Sequence, residues 1–132
     1  MQEPSVFTKI IRGELPSHKI YEDDKTLAFL DIHPSVEGYT LVIPKAQVDR
    51  LEDLPDEDYK AVMQTVRKVM RRIVEVYGRE YRACVKVWGF EVPHAHVRIM
   101  PCRQAEDFDA PQDEHAEPDH EALAAVAKKL AF

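Results

Sequence analysis

The spacing of apolar residues changes several times along the chain, and each change predicts an element. Phe7, Ile10 and Ile11 recur at helical spacing behind Ser5, a good N-cap, and Gly13 closes the run, which predicts a short amphipathic helix over 6–12. Three runs rich in strand formers follow, 19–22, 26–30 and 40–44, separated by Asp23-Asp24 and by the stretch from Pro34 to Gly38, both suited to turns. Three strands with tight links predict an antiparallel meander. From 56 to 77, Tyr59, Val62, Met63, Val66, Val69, Met70, Ile73, Val74 and Tyr77 recur at spacings of three and four until Gly78 stops the pattern. That is a helix of about 33 Å, with Arg67, Lys68, Arg71 and Arg72 mostly on its other face, read here as a solvated face rather than a phosphate-binding stripe.

Two more strands are expected at 82–87 and 94–100, with Gly89 in their connection. After Pro101 the chain turns acidic and proline-bearing. Residues 104–117 read as a loop or partly ordered arm, and a closing helix begins with Pro118 at its first position and runs through Leu123, Val126 and Leu130. No repeat is visible, and the alternation of parallel strands with long helices that a Rossmann fold needs is absent. The pattern is α+β: a mostly antiparallel five-stranded sheet, one long helix laid on it and short terminal helices. It forms one domain over 1–132, with a core at 5–101 and an acidic arm plus helix at 102–132.

Composition narrows the class. At 132 residues with 45% apolar content, the chain can bury one core. No run approaches 18 apolar residues and the opening MQEPSVF lacks the features of a secretory signal, so the expectation is a soluble, cytoplasmic protein with no membrane partner. Cys84 and Cys102 form no CxxC pair and are expected to be reduced thiols that fill space. The net charge of −6 is local: residues 104–121 hold eight acids and no Lys or Arg, which leaves 16 acids against 18 bases elsewhere. Such a body lacks the basic excess of a nucleic-acid-coating protein but accommodates a small phosphate-bearing ligand.

The segment Pro93-His94-Ala95-His96-Val97-Arg98-Ile99-Met100 concentrates candidate chemistry. On a strand, His94, His96 and Arg98 project from one face and Ala95, Val97 and Ile99 from the other, so the apolar set faces the core and the nitrogen-rich set lies outside it. Three such groups about 6.5 to 7 Å apart repel one another unless an anion or neutral tautomers relieve them. Imidazole is a competent nucleophile at neutral pH, and His96, central in the row, is the natural candidate. An H-x-H pair also suits a metal, or two plain surface histidines, and by itself decides nothing. No local carboxylate or cysteine completes a metal site, although Cys102 or His33 is able to approach through folding.

Further blocks extend the picture. Val6 to Pro16 reads VFTKIIRGELP, followed in order by Tyr21-Glu22-Asp23-Asp24, Leu27-Ala28-Phe29-Leu30-Asp31-Ile32-His33-Pro34 and Leu41-Val42-Ile43-Pro44-Lys45. In order and spacing, over residues 6–101, these blocks with the H-x-H segment resemble the Hint-like branch of the histidine triad (HIT) superfamily of nucleotide hydrolases and transferases. The resemblance implies a half-barrel α+β subunit, usually paired as a homodimer, binding a small purine nucleotide such as AMP, with no cofactor and no metal. It places the nucleophile on His96 and an orienting histidine on His94, and assigns the ribose hydroxyls to Asp31, a carboxylate able to accept two hydrogen bonds. The base-enclosing positions fall on Val6, Phe7, Ile10, Phe29 and Ile32, for each of which core packing is an equal explanation; for Asp31 a turn residue before His33-Pro34 is the lesser of the two readings.

The departures from that family are specific. The third triad position, normally His or Gln, is Arg98; a histidine usual before the Leu-Val-Ile-Pro block is Tyr39; and the glutamine after the glycine is Phe90, in a shortened loop. The implied mechanism has His96 attack the α-phosphorus of a nucleotide conjugate, after which water hydrolyses the nucleotidyl-histidine. Arg98 suits phosphate binding but is a poor proton donor, so unactivated phosphoramidates are expected to turn over weakly. The alternative is a nucleotide-binding module of the same fold that has lost useful catalysis.

Overall fold

The computed structural model describes residues 2–132. Helix α1 (Val6–Ile11) leads into strands β1 (Lys19–Glu22), β2 (Thr26–Leu30) and β3 (Thr40–Pro44). A 3-10 turn at Leu51–Asp53 precedes the long helix α2 (Asp56–Tyr77), and β4 (Arg82–Lys86), β5 (Val97–Cys102), α3 (Ala105–Phe108) and α4 (His120–Leu130) complete the chain. The five strands make one sheet in the order β1-β2-β3-β5-β4, with every neighbouring pair antiparallel. The meander is therefore β1 to β3, and the crossover through α2 returns the chain so that β5 docks on β3 and β4 becomes an edge.

Both faces of the sheet are covered, which is why β2 and β3 are buried along their whole length. On one face Ala28, Leu30, Val42, Val97 and Ile99 pack under Val62, Val66, Val69 and Ile73 of α2 and under Leu123, Ala127 and Leu130 of α4. On the other, Leu27, Phe29, Leu41, Ile43 and Met100 pack with Phe7 and Ile10 of α1 and with Tyr39. The segment after residue 101 thus supplies part of the first core. Arg72 fastens it, donating from Nε to the Leu130 carbonyl at 3.0 Å and from Nη2 to the carbonyls of Lys129 and Ala131, each at 3.2 Å. These bonds satisfy carbonyls that the end of α4 leaves open.

The structure departs from the sequence expectations at several boundaries, the first at α1, which ends at Ile11 with Arg12 as its C-cap. Strand 94–100 begins only at Val97, because the His94 N–H bonds the Val92 carbonyl and the Ala95 N–H bonds the Val48 carbonyl instead of a strand ladder; the strand runs on to Cys102. β4 ends at Lys86 rather than at 87. The arm is partly helical, because Gln104 and Asp107 form a capping box that starts α3. Finally, α4 begins at His120, capped by Asp119, whose side chain accepts from the Ala122 N–H at 3.1 Å. Among the described residues no helix is long and apolar enough to cross a membrane, and both cysteines are free thiols.

Candidate active site

Cross-strand pairing of Leu41 with Arg98 puts Arg98 on the α1 side of the sheet, while Ala95, Val97 and Ile99 enter the opposite core, as alternation requires. His94 and His96 precede the strand in extended chain, and Phe7 packs edge-on against both rings, with centroids 5.8 and 5.2 Å away. The expectation that this row lies outside the core is corrected: His94 and His96 are buried under Phe7 of α1, and Arg98 is buried among Tyr39, Asp31, Glu91 and Gln112.

Partners fix both imidazole tautomers. His94 Nε2 lies 2.8 Å from the Pro44 carbonyl, which only accepts, so that nitrogen carries the proton and Nδ1 accepts from Ser5 Oγ at 2.8 Å. His96 Nδ1 donates to the His94 carbonyl at 2.7 Å, so its lone pair resides on Nε2, a buried atom with no hydrogen-bond partner. Burial is the largest influence on both rings and lowers their pKa values, which keeps both neutral at pH 7. Ser5 therefore has two tasks, since the same Oγ accepts from the Thr8 N–H at 3.0 Å as the N-cap of α1. Gln47 anchors that corner by accepting from the Ser5 N–H at 2.8 Å and from the Thr8 hydroxyl.

Arg98 is surrounded. Nη2 donates to Glu91 at 3.1 Å, and Nη1 is shared among Tyr39 Oη at 3.3 Å, Gln112 Oε1 at 3.4 Å and Asp31 Oδ2 at 3.5 Å. Burial works against its charge, but the Tyr39 hydroxyl, Asp31 and Glu91 outweigh it and raise its pKa. The repulsion expected along the row is thus relieved twice over, by neutral imidazoles and by the chain's own carboxylates. Asp31 is also engaged: Oδ1 accepts from the His33 N–H at 2.8 Å and Oδ2 from Gln112 Nε2 at 3.0 Å, while Gln112 further donates to the His33 carbonyl at 2.9 Å.

The expected site residues are therefore gathered unevenly. His94 and His96 share one hydrogen-bonded group with Ser5, Arg98 and Asp31 share a second with Tyr39, Glu91 and Gln112, Phe7, Ile10 and Phe29 lie in the adjoining apolar cluster, and Val6 and Ile32 are exposed. The sequence reading missed Glu91, Gln112, Gln47 and the second role of Ser5. Gln112 lies 81 positions from Asp31, and no local signal announces such a contact. Beside His96 opens a cavity of about 420 Å³, bounded by Leu51, Trp88 and Phe90 and rimmed by Asp49, Arg50 and Glu52. That volume lies in the range of small-molecule sites. Among the described residues no three His, Cys, Asp or Glu side chains come together as a metal site, so neither His33 nor Cys102 completes one with the H-x-H pair.

Comparison with known proteins agrees with fold and motif. The sequence profile of the HIT domain matches residues 12–105. The chain belongs to the HIT family. An uncharacterized HIT-like protein of Borreliella burgdorferi is 42% identical over 102 residues, covering 73% of each chain. An adenosine 5′-monophosphoramidase of Saccharomyces cerevisiae is 35% identical over 98 residues, which span 74% of this chain and 62% of the yeast protein. Among solved structures, a Hit-like protein involved in cell-cycle regulation from Bartonella henselae, crystallised with an unknown ligand, superposes with a TM-score of 0.83 at 30% identity, covering 98% of this chain and 96% of that one.

Proposed function

We propose that this HIT protein is a nucleotide hydrolase that cleaves small purine nucleotide conjugates at the α-phosphate through a covalent nucleotidyl-histidine on His96. The observation that carries the reading is the state of one atom: His96 Nε2 is unprotonated, has no partner, and belongs to a ring that lines a cavity of ligand size. A neutral imidazole with its proton held on Nδ1 has its lone pair available for phosphorus. His94 orients it by accepting that Nδ1 proton on its carbonyl. Nε2 attacks phosphorus, the leaving group departs with its electron pair, and water then releases the nucleotide and restores the ring.

In this reading AMP-like ligands place their ribose hydroxyls on Asp31 and their base among Val6, Phe7, Ile10, Phe29 and Ile32, with Arg98 near the phosphate. The activity of the yeast relative supports the reaction class. A homodimer in the cytoplasm is part of the proposal; β4 is an open sheet edge exposing Val85, where a second copy is able to pair.

A second reading, a nucleotide-binding module without useful turnover, draws on a specific observation: Arg98 is held by Asp31, Glu91, Tyr39 and Gln112. An adenylate with a fluorogenic leaving group separates the two. Release that disappears in His96→Ala supports the hydrolase; equal release by both proteins defeats it, and tight AMP binding without turnover establishes the module.

A further inference from the structure

The cavity beside His96 contains none of the six residues assigned to the nucleoside; its walls are Leu51 and the loop bearing Trp88 and Phe90. In an in-line displacement the leaving group lies on the far side of phosphorus from the attacking nitrogen. With the nucleoside directed toward Asp31, the cavity is the space left for that group. We propose that it is a leaving-group subsite selective for aromatic groups bonded to phosphorus through oxygen, with Trp88 and Phe90 as the selecting residues. The proposal rests on His96 being the nucleophile and adds the class of substrate.

Three observations converge on this occupant. Trp88 and Phe90 stand edge to face, with centroids 5.1 Å apart, and remain 54% and 82% exposed, so two large rings present apolar surface to the cavity without being consumed by the core. Aromatic rings prefer such edge-to-face and offset arrangements, which a flat guest extends. Second, the rim disfavours an anionic group. Arg50 is paired with Glu52 at 3.5 Å, leaving Asp49 as excess negative charge where a second phosphate or a carboxylate tail would lie.

Third, Arg98, at the third position of the H-x-H-x-R row, is held by Tyr39, Asp31 and Glu91, which raise its pKa rather than lower it. A guanidinium in that state does not give up a proton. Leaving groups that depart as stable anions are thus favoured, and an aryl oxide is one, since a phenol ionises near pH 10. The Nε2 lone pair forms the nitrogen–phosphorus bond, the phosphorus–oxygen bond breaks with its pair on the aryl oxygen, and that oxygen takes a proton from water. A second water attacks phosphorus, expels the imidazole and leaves the nucleotide.

The test compares two esters of AMP, a naphthyl ester and an aliphatic fluoroalcohol ester of matched leaving-group acidity, on the full-length protein. The expected kcat/KM ratio favours the naphthyl ester about tenfold, in line with aromatic stacking on a side-chain platform. In Trp88→Ala/Phe90→Ala that ratio falls to near one; both residues are exposed, and a ratio cancels any loss common to the two esters. A ratio near one in the unaltered protein, or one that survives the double substitution, overturns the subsite. His96→Ala distinguishes the levels of failure. If the fluoroalcohol ester is hydrolysed equally well without His96, the nucleophile reading itself falls; if its hydrolysis needs His96 but no aromatic preference exists, only the subsite falls.

Discussion

Gln112 Nε2 lies 3.0 Å from Asp31 Oδ2, so the far arm of the chain already occupies the carboxylate expected to receive ribose. The other oxygen of Asp31 is taken by the His33 N–H. A nucleotide that uses Asp31 must displace Gln112, and with it the Gln112 contacts to Arg98 and to the His33 carbonyl. Removing the amide relieves that competition. Gln112→Ala is expected to tighten AMP binding roughly threefold to tenfold, the worth of one or two net hydrogen bonds. Titration calorimetry checks it, and weaker binding in the variant would show that Gln112 serves the ligand rather than competing with it.

Arg98→His places a side chain able to donate a proton beside the proposed phosphate position. The substitution should raise turnover of an amine-leaving phosphoramidate by about tenfold or more relative to an activated ester, since a positioned general acid contributes about 10² to 10⁴ when fully effective. It also withdraws a permanent cation from Asp31 and Glu91, so a lower melting temperature is expected alongside. Steady-state rates on the two substrates give the decisive ratio; an unchanged ratio removes proton donation as the meaning of this position.

The pH dependence follows from burial of the imidazoles. The unfolded His94 and His96 take up protons as pH falls through 6.5, whereas the folded rings, whose pKa values are lowered first by burial, do so only at lower pH. Unfolding therefore binds protons, and stability is fully present above 6.5 and is lost as pH falls from there through the folded values. The acid limb of kcat/KM should likewise lie below 6.5, because His96 stays neutral past that point. Urea midpoints and rate profiles on either side of 6.5 measure both, and an acid limb above 6.5 would contradict a His96 pKa lowered by burial.

Ser5 links fold to chemistry. Ser5→Ala removes the α1 N-cap, a loss of about 1 kcal/mol, and removes the donor to His94 Nδ1. Because the His94 backbone carbonyl in turn accepts the hydrogen bond from His96 Nδ1–H, kcat should fall several-fold with little change in KM, and Ser5→Thr, which retains the hydroxyl, should recover most of it. A purely structural Ser5 would lower the melting temperature and leave kcat intact.

Much of this was legible in the sequence. The strands 19–22, 26–30 and 40–44 and the helix 56–77 appear with the expected bounds, because period-two and period-3.6 patterns bounded by Gly, Pro and Asp leave little freedom. Alternation through Ala95, Val97 and Ile99 also separated the apolar face from the nitrogen-bearing one. What the pattern did not carry was depth. α1 covers the two imidazoles, so residues expected on a surface are buried, and that covering depends on packing between segments nearly 90 positions apart, as Ser5 and His94 are. The arm was opaque for the same reason. Its acidic composition reads as solvated chain, and only the three-dimensional return of Gln112 to Asp31 gives it a place in the site.

The account stands on His96 Nε2 forming a bond to phosphorus, and rapid-quench mass spectrometry during turnover of an activated adenylate ester tests this most directly. The expected result is a transient nucleotidyl adduct that is labile to acid, maps to the peptide bearing His96 and is absent from His96→Ala. Product formation at full rate with no adduct at any quench time, or an adduct that persists in His96→Ala, would contradict it.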